Sequence, residues 1–468
     1  MVFSSLIFIF LFLPITIFLY YISPKKLKNL TILIASLIFY AWGEPICILL
    51  MVFSIILNYI MTLFIHNFRY NKNISRNIFI VTLAINLGML AFFKYFSFII
   101  DNLNMLLGLN IIVEKIPLPM GISFYTFQIL SYVIDVYLDK VEVQRNIINF
   151  GVYVTMFPQL VAGPIVKYSD INYQLKNRKR SLYKFSEGIE RFIIGLGKKV
   201  LIANNIGIIW TNIKSLDISS LSILSSWLGI IAFTLQIYFD FSGYSDMAIG
   251  LGKMFGFEFM ENFNYPYIAK SVSEFWRRWH ISLGQWFREY IYIPLGGNRV
   301  NLITQFRNLF IVWFTTGLWH GASWNFVFWG LYFGFFIFLE KIFLGRFLKG
   351  PLKFISNLYT ILVVIIGWVF FDIDKLGLAF SYLKVMFGFK GNPFIDKTFI
   401  YYFYTNFFLL IIGILCATPL VSELYTKLKQ TRNFKVVLFI NLTLCAILFL
   451  STAYLVNQSF NPFLYFRF

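Results

Sequence analysis

The chain runs to 468 residues, of which 59% are hydrophobic, 21% aromatic and only 13% charged, where an average soluble domain carries roughly 25% charged residues. That balance excludes an ordinary soluble fold and reads as a membrane protein. The formal charge of +19 does not read as nucleic-acid binding, because the basic residues are scattered through loops between apolar runs instead of being gathered into one basic domain.

A bilayer crossing needs about 20 mostly apolar residues, and such runs recur almost from end to end. The first, FSSLIFIFLFLPITIFLYYI, lacks the basic n-region of a secretory signal and is too long for its apolar core, so a retained helix is expected. In chain order there follow NLTILIASLIFYAW, ICILLMVFSIILNYIMTLFI, IFIVTLAINLGMLAFFKYFSFII, LSSWLGIIAFTLQIYF, NLFIVWFTTGLW, WNFVFWGLYFGFFIFL, LYTILVVIIGWVFF, FYTNFFLLIIGILCA and VVLFINLTLCAILFLSTAYLV. Shorter or interrupted segments around residues 121 to 166 and 185 to 210 bring the expectation to roughly 10 to 13 membrane elements. Some are too short or too polar to span simply, which predicts re-entrant pieces, since polar backbone at membrane depth is tolerated only beside protein or a water-filled cavity. The expected architecture is all-α and polytopic: one transmembrane domain over residues 1–456, then an extracytoplasmic aromatic tail over 457–468.

Loop charge predicts orientation. Lys25, Lys26 and Lys28 follow the first run, only Glu44 follows the second, and Arg69, Lys72 and Arg76 follow the third. By the positive-inside rule the first and third loops are cytoplasmic and the N-terminus lies outside. Lys427, Lys429, Arg432 and Lys435 flank the entry to the last helix, which puts the final NPFLYFRF on the outer face. Most of these cations have an ordinary role at anionic lipid headgroups. Cys47, Cys416 and Cys445 all lie in apolar runs without metal-ligand spacing and read as small core residues.

Ionisable groups within membrane segments are expensive and by default suggest function. Of the three histidines, His66 ends the third apolar run beside a basic loop and reads as interfacial. His280 lies in SVSEFWRRWHISLGQWFREYIYIPLGGNR. On one helix Trp276, His280, Leu283 and Phe287 share a face, while Glu274, Arg278 and Gln285 point elsewhere. Too charged for a simple span, this stretch reads as a re-entrant or interfacial helix, closed by the turn PLGGN at 294 to 298. Arg277, Gln285 and Asn298 are its candidate supporting residues. His320 lies in the apolar IVWFTTGLWHGASWNFVFWG, at a glycine-lined break instead of a helix end. There Gly317 and Gly321 leave room for a ligand or another backbone, and Trp319 and Trp324 can wall a site. A third cluster, LQIYFDFSGYSDMAIG, carries Asp240 and Asp246. Two readings of these carboxylates stay open: one orients a histidine through its ring N–H, or they pair with arginines of the 274 to 299 stretch.

Together these segments resemble the membrane-bound O-acyltransferase (MBOAT) family, in its bacterial branch of alginate, peptidoglycan and wall-polysaccharide O-acetylation membrane subunits. The resemblance rests on MVFSSLIFIFLFLP, LIASLIFYAWGEP, PMGISFYTFQILSYVIDVY, FPQLVAGPIVKY, QIYFDFSGYSDMAIGLGKMFGF, SEFWRRWHISLGQWFREYIYIPLGGNR and GLWHGASWNFVFWG, which occur in that order along almost the whole chain. It implies helices ringed around a cavity or tunnel, with His320 as the catalytic histidine and His280 as a second one near it. The chain departs from the pattern the resemblance implies, which often has a serine at Gly284, an aspartate at Glu289 and a histidine near Phe333. The resemblance also gives the aromatic terminus a purpose, for similar proteins end on a tail whose tyrosine is thought to carry the acyl group outward. Tyr465 is the matching residue, with Phe460, Phe463, Phe466 and Phe468 anchoring it at an apolar mouth. The same resemblance implies a cytoplasmic thioester donor, acetyl-CoA, and an extracytoplasmic SGNH-type esterase-like partner that passes the group to a cell-surface polysaccharide. No metal site is expected, because two histidines and scattered carboxylates make no ligand set. The rival expectations are D-alanyl transfer from a carrier protein to teichoic acid, and a transporter or flippase without acyl transfer.

Overall fold

In the computed structural model the described residues are 1–114, 116–160, 163–351, 353–431, 433–457 and 464. Among them all regular structure is helical. Tyr465, Phe460, Phe463, Phe466 and Phe468 lie outside the described residues.

Six described helices are long and apolar enough to cross a membrane: Cys47–Asn67, Lys72–Leu107, Leu182–Lys214, Ile223–Phe255, Trp324–Lys349 and Phe434–Asn457. A pair bent by 63°, Lys397–Thr405 and Phe407–Cys416, gives a seventh if it counts as one span. The shorter apolar helices Phe8–Ile22, Lys28–Gly43, Ser356–Asp372 and Leu376–Met386 account for further apolar runs. Two of these helices sit at opposite ends of the range of burial. The Phe434–Asn457 helix has a mean hydropathy of 2.4 and is 17% buried by protein, whereas Ile223–Phe255, at 1.4, is 72% buried. A helix wrapped by protein can hold Asp240 and Asp246, whereas one facing lipid cannot. That is why LSSWLGIIAFTLQIYF continues unbroken through both aspartates to Phe255.

The described residues group into two compact units, Met1–Phe192 with Met247–Met260, and Ile193–Asp246 with Glu261–Phe468. In the first, Asn58 and Asn86 exchange amide hydrogen bonds of 3.0 and 2.8 Å between the Cys47–Asn67 and Lys72–Leu107 helices. This is the polar fastening expected where lipid supplies no hydrophobic drive. Lys28 is buried there, its Nζ donating to the Tyr20 carbonyl at 2.6 Å.

In the second unit the helix Leu302–His320 packs tightly on Trp324–Leu339. A Cβ at Gly317 would run into the carbonyl of Phe326, one at Gly330 into the carbonyl of Trp313, and one at Gly334 would sit 3.0 Å from the Trp313 Cβ. The small-xxx-small spacing of Gly330 and Gly334 brings the two backbones together. Gly317 therefore admits a neighbouring backbone, and Gly321 admits the Phe326 ring. At the far end of Trp324–Leu339, the buried Glu340 accepts from the amides of Val272 (2.6 Å) and Ser273 (3.0 Å). Its carboxylate thus satisfies free N–H groups that open the helix Val272–Arg278.

Candidate active site

The 274 to 299 stretch departs from the single helix expected of it. Val272–Arg278 ends at Trp279, and a new helix, Ile281–Phe287, starts behind His280, whose φ of +45° and ψ of +54° are left-handed. Helical spacing therefore does not carry from Trp276 to His280. A left-handed conformation at a non-glycine residue costs of order 1 to 3 kcal/mol and persists only where its surroundings hold it. Here Asn262 holds it. The Asn262 carbonyl accepts from the amide of Ile281 (3.0 Å), and its side-chain oxygen accepts from the amide (3.1 Å) and hydroxyl (2.9 Å) of Ser282. The same oxygen lies 3.3 Å from His280 Nδ1.

That geometry assigns the tautomer. The Ser282 amide can only donate, so the Asn262 atom facing it is the oxygen, and Nδ1 of His280 bonds to it as a donor. In the neutral ring Nε2 is then the nitrogen with the basic lone pair.

His320 is the last residue of its helix, with extended backbone beginning at Gly321 (φ −168°). This corrects the expectation that the histidine avoids a helix end: the glycine break follows it. Its ring is boxed by Trp329 at 4.8 Å, Trp319 at 5.0 Å and Phe371 at 5.5 Å between centroids, each edge-on. Trp329 takes the wall position expected of Trp324, which opens its helix and is 57% exposed. Trp319 does wall the site as expected. Its ring also lies 6.1 Å from that of His280, and Phe241 covers His280 at 4.7 Å. Both histidines are all but inaccessible, at 2% and 3% exposure, and an apolar, aromatic surround strengthens every electrostatic interaction inside it. Phe333 is fully buried, with its ring 4.9 Å from Trp276 and 5.4 Å from Trp329. Its role among the described residues is packing between these rings.

The described partners of the two aspartates are lysines, which neither expectation foresaw. Asp240 Oδ1 is 2.5 Å from Lys199 Nζ, and Asp246 Oδ2 is 2.7 Å from Lys198 Nζ. Both lysines lie in the π-helical turn Lys198–Ala203. Gly243 makes their approach possible, since a Cβ there would stand 2.7 Å from the Gly195 carbonyl. Asp240 Oδ2 accepts from the amide of Leu464, at 2.8 Å.

The supporting residues from the 274 to 299 stretch have other surroundings. Arg277 is exposed and bonds back to the Ser273 carbonyl, Gln285 is half-buried on Ile281–Phe287, and Asn298 accepts from Tyr292 (2.6 Å) and Lys341 (3.0 Å) in the exposed turn. Sequence reasoning missed Asn262, Trp329, Phe371 and Lys199. Only the last had a signal, two adjacent lysines in the otherwise apolar FIIGLGKKVLIA.

Two buried histidines among aromatic rings, one with an assigned basic nitrogen, suit proton transfer to or from an oxygen nucleophile. Residues 139–382, which hold both, match the model of the membrane-bound O-acyltransferase family. The chain is 42% identical over 396 residues to the probable alginate O-acetylase AlgI of Pseudomonas aeruginosa, covering 83% of this chain and 75% of that one. It is 35% identical over 426 residues to a peptidoglycan O-acetyltransferase of Helicobacter pylori, covering 84% and 80%. A teichoic acid D-alanyltransferase of Bacillus subtilis is 27% identical over 229 residues, 46% of this chain and 56% of that one. The chain belongs to the membrane-bound O-acyltransferase family. It is a multi-pass membrane acyltransferase.

Proposed function

We propose that the protein transfers an acetyl group from acetyl-CoA at the cytoplasmic face of a bacterial cytoplasmic membrane to Tyr465, from which an extracytoplasmic SGNH-type partner moves it to a cell-surface polysaccharide. The chemistry balances. The phenol, with a reference pKa of about 10, gives up its proton to a histidine as its oxygen attacks the thioester carbonyl. The carbon–sulfur bond breaks, and the departing thiolate takes the proton back from the histidine. The products are an acetyl–tyrosine ester and free CoA. His320, enclosed by Trp319, Trp329 and Phe371, is the proposed base, assisted by His280. The aryl ester is itself activated, so onward transfer to a partner serine is not uphill.

The observation that carries this reading is at Leu464. The residue before Tyr465 is 5% exposed and bonded through its amide to Asp240, and Asp240 is followed by Phe241, whose ring covers His280. Relatives named as acting on alginate and peptidoglycan support acetyl transfer and a polysaccharide acceptor over D-alanyl transfer, where identity falls to 27%. The test is the ester-linked acetate of surface polysaccharide in cells carrying the wild-type, His320→Ala or Tyr465→Phe protein. Loss in both variants is expected. Wild-type acetate with Tyr465→Phe, alongside loss with His320→Ala, would remove the tail from the route.

A further inference from the structure

We propose that Lys28, Arg178 and Arg180 form a binding site for a phosphate group, carried either by an anionic lipid headgroup or by a soluble phosphate ester. All three belong to the unit Met1–Phe192 with Met247–Met260, which does not contain His280 or His320. The site stands independently of the route through Tyr465.

Lys28 opens the helix Lys28–Gly43, and its Nζ donates to the carbonyls of Tyr20 (2.6 Å) and Tyr21 (3.4 Å), at the end of the helix Leu13–Ile22. A helix C-terminus carries roughly half a negative charge, which leaves the lysine only partly compensated although it is 5% exposed. Its Nζ lies 4.5 Å from the centre of the Tyr20 ring. The Arg178 guanidinium faces the same ring at 5.7 Å and stacks over Phe257 at 4.5 Å. Nη2 of Arg178 donates to the Asn29 side-chain oxygen, whereas Nη1 is buried with no hydrogen-bond acceptor among the described residues. Gly256, at φ +84°, lets the 178 to 180 loop close in, since an added Cβ would stand 3.0 Å from Arg180 Cγ and 3.6 Å from Arg178 Cβ. From there the Arg180 charge acts on both Lys28 and Arg178. The carboxylates of this region are engaged elsewhere, Glu258 with Lys184 and Glu187 with Lys253. Among the described residues no carboxylate forms an ion pair with Lys28, Arg178 or Arg180. Cation–π contacts hold the first two side chains in place but bring no negative charge. Three mutually repelling cations and a buried charged N–H without an acceptor are costly unless an anion joins them. A phosphate supplies both the charge and the oxygens, and the planar guanidinium fork matches its geometry. Arg180 is exposed, a long side chain that can swing to admit the anion.

The experiment follows the thermal midpoint of the full-length protein in an uncharged detergent. It is titrated in parallel with adenosine 3′,5′-bisphosphate, with short-chain phosphatidylglycerol, and with phosphatidylcholine of the same chain length. At least one of the two anions is expected to raise the wild-type midpoint, and the zwitterionic lipid is not. Arg178→Gln and Arg180→Gln should each raise the half-saturating concentration roughly 10- to 100-fold, the loss expected for one charge-assisted hydrogen bond. Lys26→Gln, which removes an exposed lysine two positions before Lys28, should titrate as wild type. Without ligand, Arg180→Gln should leave the midpoint unchanged or raise it, because it relieves repulsion. A response to phosphatidylglycerol alone identifies the ligand as a lipid headgroup, a response to the bisphosphate alone as a soluble phosphate ester, and a response to both as a phosphate from either source. No response of the wild type to either anion overturns the site, as does an undiminished response in Arg178→Gln and Arg180→Gln. An equal loss in Lys26→Gln overturns it too, because it marks general attraction to a basic surface. A ligand-free midpoint that falls in Arg180→Gln gives that arginine a structural role and removes it from the site.

Discussion

His280 Nδ1 lies 3.3 Å from the side-chain oxygen of Asn262, and this contact decides which ring nitrogen can act as a base. The same oxygen holds the Ser282 amide and hydroxyl, so one side chain fixes both the tautomer and the left-handed turn. Asn262→Ala should therefore lower kcat about 10- to 100-fold through misorientation of the ring. The KM for acetyl-CoA should change little. Single-turnover CoA release from the detergent-solubilised protein, followed over a range of acetyl-CoA concentrations, gives the corresponding rate and half-saturation.

The two histidines should differ in consequence. Removing a positioned general base costs on the order of 100- to 10,000-fold in rate. His320→Ala is expected at the severe end and His280→Ala below it, with both variants eluting as folded protein on size exclusion. Comparable residual activity in the two would reassign the base.

Gly317 is where the His320 helix meets the Phe326 carbonyl. Overpacking such a contact typically costs about 1 to 3 kcal/mol. Gly317→Ala should lower the thermal midpoint of the detergent-solubilised protein and reduce activity together, because the displaced helix carries His320 at its end. Gly377, whose added Cβ would meet nothing within 4 Å, is the control, and Gly377→Ala should leave the midpoint unchanged or slightly raised.

Asp396 caps the helix Lys397–Thr405 through the Phe399 amide (2.8 Å), and it accepts from Ser225 Oγ (2.6 Å) and the Ser222 amide (3.1 Å). Partial burial pushes its carboxyl up, but these hydrogen bonds outweigh burial and hold it below the usual carboxylate range. A depressed folded-state pKa means stability that is present above the unfolded value, about 3.9, and lost as pH falls through the folded one. Asp396→Ala should cost about 1 kcal/mol at pH 7, the usual loss for an N-cap. The gap to wild type in thermal midpoint should begin to narrow below about pH 4 and close only as pH falls through the depressed folded-state value.

Much of the fold was legible in sequence because apolar length is a direct physical requirement of the bilayer. The runs at Cys47–Asn67 and Phe434–Asn457 could be read almost to the residue. The surroundings of the candidate site were half legible. His280 and His320 stood out because imidazoles in apolar surroundings are rare, and Trp319 because it adjoins one. Asn262 did not stand out, since an asparagine in a polar loop looks like any turn residue until the chain folds it against His280. The lysine partners of Asp240 and Asp246 were obscured for another reason. The pairing depends on a π-helical turn at Lys198–Ala203 and a glycine contact at Gly243, neither of which has a sequence period. The break at His280 was hidden because a left-handed residue leaves both flanking segments looking helical.

Acyl transfer through the terminal tyrosine is tested most directly by mass spectrometry of the C-terminal peptide, taken from protein purified from an acetylating host, with His320→Ala prepared in parallel. An acetyl adduct on Tyr465 is expected in wild type and should be absent from the variant. An unmodified peptide in both, with polysaccharide acetylation intact in a Tyr465→Phe strain, would contradict the relay.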